Sequence, residues 1–398
     1  HPDLQMTMKD AGNYQKVWET YYNLILGANA ALDYIKEVSG TEEDKAHVQA
    51  QALALRAFYY LQLVNLFGEP YTYNKEALGV PLKLTSALSI SYDKRKTVGE
   101  VYDQIVRDLD EAEKYFLMLP NEKQFLPNYR ITLPAVQLLK ARVNLYMNNL
   151  EEAAKYAKNV IEDWDFVLYD LRSISYDGVT FPNYVTYDNP ETIWAFGKRN
   201  DLLKFTHDLM GDYGVKDHRV LINASDELVD NYEDEGDLRK QFYLVPEYGY
   251  TPVCYLAVSK CVFLGESIPS DDKFMLALRL SEAYLILAEA TAKTDPTIAL
   301  NAVNELRKKR ISEEKYKDKS GLSGDELLEF VRNERRRELC FEGHRWFDLR
   351  RYGMPSFTRV WKEGGVAAKW FTMEKEDAAY TLPISKEVMD RNPGLVQN

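Results

Sequence analysis

The chain has 398 residues, 45% of them hydrophobic and 28% charged, with a formal net charge of -12. This is globular composition with ample apolar material for a large core. The acidic surface repels phosphate backbones and anionic headgroups, which argues against nucleic-acid partners; neutral sugars carry no charge to repel and remain open. In chain order, Trp18, Tyr21, Tyr22, Ile25, Ala28, Leu32 and Ile35 recur in steps of three and four, predicting an amphipathic helix over 14–37. Ser39-Gly40-Thr41 ends it, because Gly40 admits left-handed backbone, and Thr41 with Asp44 three residues on caps a second helix over 42–67. Helices over 97–119, 132–148 and 150–163 follow, with the small residues Ala141, Ala153 and Ala157 spaced to let neighbours approach as in tetratricopeptide repeats. Further helices are predicted over 275–293, 297–309 and 325–341, making three or four hairpins stacked as a solenoid.

Residues 164–273 break this period. They are rich in Gly, Pro, Asn and Asp and hold short β-prone runs such as Thr192-Ile193-Trp194-Ala195-Phe196 and 253–262. A stretch this long inside a compact protein is an irregular subdomain rather than one loop, and binding residues concentrate in such segments. The expected fold is therefore mainly α: a tetratricopeptide-like helical-hairpin scaffold with an irregular, loop-rich insertion containing a few short strands. The expected division is 1–163 for the first hairpins, 164–273 for the ligand-binding region, and 274–398 for the last helices and tail.

Motifs for catalysis are absent: no Gly-x-Ser-x-Gly, no phosphate-binding glycine loop, no His-Glu-x-x-His. His207 and His218 flank Asp208, Asp212 and Asp217, but the spacing on a polar stretch favours solvated side chains over a metal site. A calcium-type loop registered on Asn231 fails at its twelfth position, where Phe242 stands in place of a bidentate Glu. No cofactor is expected. Cys254, Cys261 and Cys340 form no metal pattern; the first two are close enough for a disulfide or are two small core residues. No run approaches the ~20 apolar residues of a membrane helix, and the opening HPDLQMTMKD reads as a processed end that says nothing about secretion. Paired carboxylates for glycoside hydrolysis leave no local signature, so with 62 acidic residues a hydrolase remains an alternative.

Tyrosine is the commonest aromatic, at 28 of the chain's residues, and offers both a stacking face and a hydroxyl. Most of these rings pack between helices. The candidates for ligand contact are Tyr71 and Tyr73 after the Gly68-Glu69-Pro70 turn, Tyr184 and Tyr187 in a Pro/Asn-rich stretch, and Tyr213, Tyr248 and Tyr250 beside glycines. Asn183, Asp212 and Arg219 are the neighbouring groups for a sugar's hydroxyls.

Five segments in order resemble the SusD/RagB family of outer-membrane nutrient-binding proteins. They are ALRAFYYLQLVNLFGEP at 54–70, NPETIWAF at 189–196, SDELVDNYEDEGDLRKQF at 225–242, LRLSEAYLILAEA at 278–290 with ALNAVNELR at 299–307, and NERRRELCFEGHRWFDLRRYG at 333–353 completed by LPISKEVMDRNPGLVQN at 382–398. In the first, Pro70 follows the acid directly, one residue earlier than the family pattern. The resemblance implies a glycan-binding, non-catalytic lipoprotein at the outer surface of Bacteroidota-type bacteria, its lipidated Cys upstream of His1. It also implies a SusC-type TonB-dependent transporter as partner. The loop between the first two helices, which contacts ligand in some members, is short here at 39–44. A protein-binding helical scaffold is the other alternative. Within 333–351, Glu334, Glu338 and Glu342 share one helical face and Arg335, Arg336, Arg337, Arg345, Arg350 and Arg351 surround it. That pattern suits an anion site or an ion-pair network, and the network is favoured.

Overall fold

A computed structural model describes residues 12–88, 92–126, 130–175, 188–196, 224–232, 236–247, 254–256, 276–363 and 366–398. The first hairpin pairs α1 (Gly12–Tyr34) with α2 (Glu42–Phe67). Its turn is built as the sequence indicates. Gly40 sits at φ 145, and the Asp44 amide donates to Thr41 Oγ1 at 3.0 Å while the Thr41 amide donates back to Asp44 Oδ2 at 3.3 Å. After the one-turn α3 (Tyr71–Asn74), Thr97 and Glu100 form a second capping box at the start of α4 (Val98–Leu117). Short α5 (Asn121–Gln124) leads to α6 (Leu133–Tyr146) and α7 (Leu150–Glu162).

Every residue of α6 is buried. A helix enclosed on all sides must satisfy its polar residues internally. Gln137 accepts from the Trp164 indole at 2.7 Å, Lys140 reaches Asp110 and Glu113 at 2.6 and 2.5 Å, and Arg142 grips Glu282 at 2.7 and 2.5 Å. Ala141, Ala153 and Ala157 are fully buried, as expected for small residues where α6 and α7 approach.

The chain then leaves the helical array. β1 (Thr192–Phe196), α8 (Asp226–Asn231), α9 (Leu238–Tyr243), β2 (Val245–Glu247), β3 (Cys254–Leu256) and β4 (Leu276–Arg279) precede the return to helix. β2 and β3 pair antiparallel, and so do β1 and β4, with Ala195 opposite Ala277 and Phe196 opposite Leu276. The helix expected over 275–293 is corrected by this pairing: its first residues are strand, and α10 (Leu280–Thr291) begins only where β4 ends. The apolar run Leu276-Ala277-Leu278 fits either period, and the partner strand decides.

α11 (Pro296–Lys308) and α12 (Gly324–Glu338) complete the array. α1 packs on α2, α2 on α4, α4 on α6, α6 on α7, α7 on α10, and α10 on α11 and α12, so the stack closes directly across the insertion. The helix expected over 325–341 stops three residues short, because Phe341 at φ 63 and Gly343 at φ 82 turn the chain into α13 (His344–Arg351). An antiparallel hairpin of β5 (Phe357–Glu363) and β6 (Val366–Met373), not anticipated from sequence, follows before the short α14 (Lys386–Arg391). The tail is tied back to the first hairpin. The Leu382 amide donates to Leu66 O at 2.9 Å, and the buried Arg95 guanidinium bridges the carbonyls of Phe67, Leu78, Gly79 and Val396.

Candidate ligand-binding site

Of the candidate contact residues, Tyr71 and Tyr73 stand on α3. The Tyr71 ring lies 5.0 Å from the buried Tyr102 ring and packs against the main core. Tyr73 is 51% exposed and its hydroxyl donates to Glu376 Oε2 at 3.3 Å; the Glu376 charge raises its pKa. Residues two apart on a helix do not share a face, so these rings make no common stacking platform. Asn183, Tyr184, Tyr187, Asp212, Tyr213, Arg219, Tyr248 and Tyr250 lie outside the described residues, as do His207, His218 and Cys261. Cys340 is buried, its sulfur 3.3 Å from the Tyr232 hydroxyl.

An open groove of about 430 Å³ runs between α1, the segment 81–93 and the C-terminal tail. Trp18, Leu26, Val388 and Leu395 give it an apolar floor, the fully exposed Leu88 stands at its edge, and Asn23, Lys83, Asp93, Arg391 and Asn392 give it a polar rim. Trp18 and Tyr22 lie 5.1 Å apart, one turn from each other on α1. The wall is fixed to α1 by hydrogen bonds: Tyr22 donates to Pro81 O at 2.7 Å, Asn29 to Lys83 O at 2.9 Å, and Asp33 accepts from the Ser86 amide and hydroxyl at 2.7 Å each. Those bonds, the Ser86 amide first, hold the Asp33 carboxyl below its usual range. At the other end Arg391 meets Glu19 at 3.3 Å, and Asn392 donates to Asp93 O at 3.0 Å. An apolar floor with a few placed polar groups and this volume is the usual form of a small-molecule site.

A smaller cleft of about 120 Å³ lies between α2, β1 and α13, lined by Tyr21, Phe58, Gln62, Phe196, His344 and Phe347 among others. Arg335 donates to His344 Nδ1 at 3.2 Å, so the imidazole proton belongs on Nε2. Burial, then the nearby Arg142 and Arg335, lower the His344 pKa well below 6.5 and keep the ring neutral.

The acidic face of α12 is occupied mostly by arginines drawn from other segments. Glu338 takes Arg279 at 2.6 Å and Arg310 at 2.9 Å; Glu334 takes Arg239 and Arg337, each at 2.6 Å. Glu191 before β1 bridges Arg279 at 3.0 Å and Arg310 at 2.5 Å, and Glu342 clasps Arg279 with two bonds of 2.7 and 2.8 Å. A second cluster joins Asp348 to Arg335 and Arg351, and Arg351 to Glu289. Burial would raise the Glu334 carboxyl, but Arg239, Arg337 and Arg307 outweigh it and hold it down at about 2. Glu289 is held at about 2 against the same burial by Arg351, Arg335 and Arg332. The favoured reading of an ion-pair network is what the structure shows. Its partners, however, are mostly remote arginines rather than those on the same helix.

Comparison with known proteins agrees with this architecture. A family model described as the SusD family matches residues 266–398, and one described as "Starch-binding associating with outer membrane" matches residues 3–145. A SusD-like protein of Formosa agariphila is 26% identical over 381 residues, covering 83% of this chain and 71% of its own; a second from that organism is 25% identical, covering 98% and 81%. Among solved structures, a putative sugar binding protein from Bacteroides vulgatus superposes with a TM-score of 0.77 at 26% identity, covering 96% of this chain and 84% of its own. A SusD superfamily protein from Bacteroides thetaiotaomicron reaches a TM-score of 0.78 at 23% identity, with the same coverage. Stacked helical hairpins interrupted by a long insertion define a tetratricopeptide-like scaffold. The chain belongs to the SusD/RagB family. Among the described residues, no helix is long and apolar enough to cross a membrane.

Proposed function

We propose that this protein captures a glycan or related nutrient at the outer face of the outer membrane and passes it to a SusC-type TonB-dependent transporter, without breaking a bond. The observation that carries this reading is the open groove of about 430 Å³, which has room for one or two sugar residues between an apolar floor and a hydrogen-bonding rim. Family membership supports it, as does the structural neighbour described as a putative sugar binding protein. The tyrosines and polar residues between positions 183 and 250 are proposed as a second gripping surface on the insertion.

Calorimetric titration of the full chain against a panel of oligosaccharides tests this reading. Saturable binding to at least one sugar is expected, with the ligand recovered intact by chromatography after prolonged incubation. Placing a charge on the floor through Leu26→Arg is expected to weaken binding by about tenfold, roughly 1.4 kcal/mol. Cleavage products would overturn passive capture in favour of a hydrolase. Silence across the panel would favour a scaffold that binds protein alone. Unchanged affinity in Leu26→Arg, with loss on Tyr213→Ala or Tyr250→Ala, would move the site from the groove to the insertion.

A further inference from the structure

We propose that Arg336, Arg345 and Arg359 form a subsite for an oxyanion carried on a sugar, either a sulfate ester or a uronate carboxylate. The subsite rests on the glycan capture proposed above. Most buried arginines of this protein have acceptors close at hand: Arg56 holds Asp108 at 2.6 Å, Arg142 holds Glu282, and Arg95 and Arg350 are held by backbone carbonyls. Arg345 differs. It is partly buried near the start of α13, and its Nε is shut off from water with no acceptor among the described residues. The nearby carboxylate is Asp348, already taken by Arg335 and Arg351 at 3.0 and 2.9 Å.

The surroundings add positive charge rather than removing it. Arg336 on α12 and Arg359 on β5 both reach the exposed Glu227, at 3.1 and 3.3 Å, so one half-solvated carboxylate serves two guanidinium groups. Burial first, then the field of Arg336, lowers the Arg345 pKa; Arg359 acts in the same direction. Aromatic rings brace the bed. Trp346 stacks on Tyr380 with centroids 5.0 Å apart, and the Arg359 guanidinium lies 4.7 Å over Phe357, which meets Tyr380 edge-on at 6.2 Å. Ser225 adds a hydroxyl 3.4 Å from Arg336. Two guanidinium groups, from α12 and β5, therefore share one exposed acid, and Arg345 on α13 lies within the field of both, in a chain whose net charge is -12. A partly buried guanidinium whose Nε lacks an acceptor is costly, and a planar or tetrahedral oxyanion supplies countercharge with the fork geometry that arginine prefers.

The test titrates the full chain with four probes: a sulfated galactan oligosaccharide, an oligogalacturonate, a neutral galactan oligosaccharide and sodium sulfate, each at about 50 and 300 mM salt. The expected result is binding of one acidic oligosaccharide about tenfold tighter than the neutral one at low salt, with the gap shrinking at high salt. Whichever acidic probe binds tells sulfate from carboxylate. Arg345→Gln is expected to remove the tenfold preference, and Arg345→Lys to keep part of it as a charge without the fork. The melting temperature of Arg345→Gln is expected to be unchanged or higher, because a like-charge neighbour has been removed. A fall in melting temperature would instead mark a structural arginine and overturn the subsite. Equal affinity for acidic and neutral sugars, insensitive to Arg345→Gln, also overturns it while leaving glycan capture standing. Arg345-dependent binding of sulfate ion, with no oligosaccharide bound, overturns both the sugar-borne form of the site and glycan capture.

Discussion

The buried charge network and the groove use the same kinds of side chain to opposite ends. In the network, Glu191, Glu334 and Glu338 are nearly inaccessible to water and, with the partly buried Glu342, are shared among Arg239, Arg279, Arg310 and Arg337. In the groove, Arg391 meets Glu19 at 3.3 Å and Lys83 meets Asp93 only at 3.9 Å, all with side chains open to solvent. Saturated pairs in a dry interior fix one arrangement of segments and have nothing left to offer a ligand. Loose pairs at a wet rim contribute little to stability and exchange partners readily. The contrast separates what holds the frame from what is free to bind.

The network's side of this comparison breaks most visibly at Glu338. Glu338→Ala removes the carboxylate shared by Arg239, Arg279 and Arg310 and leaves buried cations short of an acceptor. A loss of about 3–5 kcal/mol is expected from removing one partner of a buried pair, read as a lower denaturant midpoint. A loss under about 1 kcal/mol would mean that water or rearrangement compensates the arginines, and the network would then not be what fixes the frame.

Acid sharpens the same contrast. Glu334 and Glu289 are held at about 2 when folded against 4.5 for an unperturbed Glu, so the unfolded chain binds protons first as pH falls. Their stabilisation is complete above about pH 4.5 and is lost as pH falls through 4.5 towards 2. His344 acts in the same direction but earlier: its folded pKa lies well below 6.5, so stability begins to decline once unfolded His takes up protons near pH 6.5. Melting temperatures measured from pH 7 to 3 are expected to fall gently at first and steeply below about 4.5. Glu289→Gln is expected to flatten the steep part. A curve that is flat down to pH 3 would sink the assignment of those carboxylates as paired and ionised.

Much of the frame was legible in the sequence, for local reasons. Periodic apolar residues marked α1, α2, α4, α6, α7 and α11, and Thr41 and Thr97 mark two starts with acids three residues on. The i, i+4 spacing of Glu334, Glu338 and Glu342 showed an acidic face in search of arginines. It did not show which arginines, since Arg239 lies 95 residues from Glu334 and nothing local links them. Four of the five family-like segments turn out to meet there: Glu191, Arg239, Arg279 and Glu338 each come from a different one. The groove was unreadable for the same reason, because α1, the 81–93 segment and the tail come together only in the folded chain. The β5–β6 hairpin carries a local signal, Gly364-Gly365 between two alternating runs.

The smallest expected effect tests the groove's side of the comparison alone. Asp33 does not line the groove but anchors its wall, accepting from the Ser86 amide and hydroxyl and from Thr85 Oγ1 at 2.9 Å. Asp33→Asn keeps the shape of the side chain and weakens those bonds, because a neutral amide oxygen is a poorer acceptor than a carboxylate. If the wall's order matters to binding, glycan affinity falls about threefold, the scale expected when one or two groups must be ordered anew on association. The melting temperature should hardly move, since the frame's fixed charges lie elsewhere. A drop in melting temperature with unchanged affinity would assign this wall to the frame, and the division between holding and binding would have to be redrawn on α1.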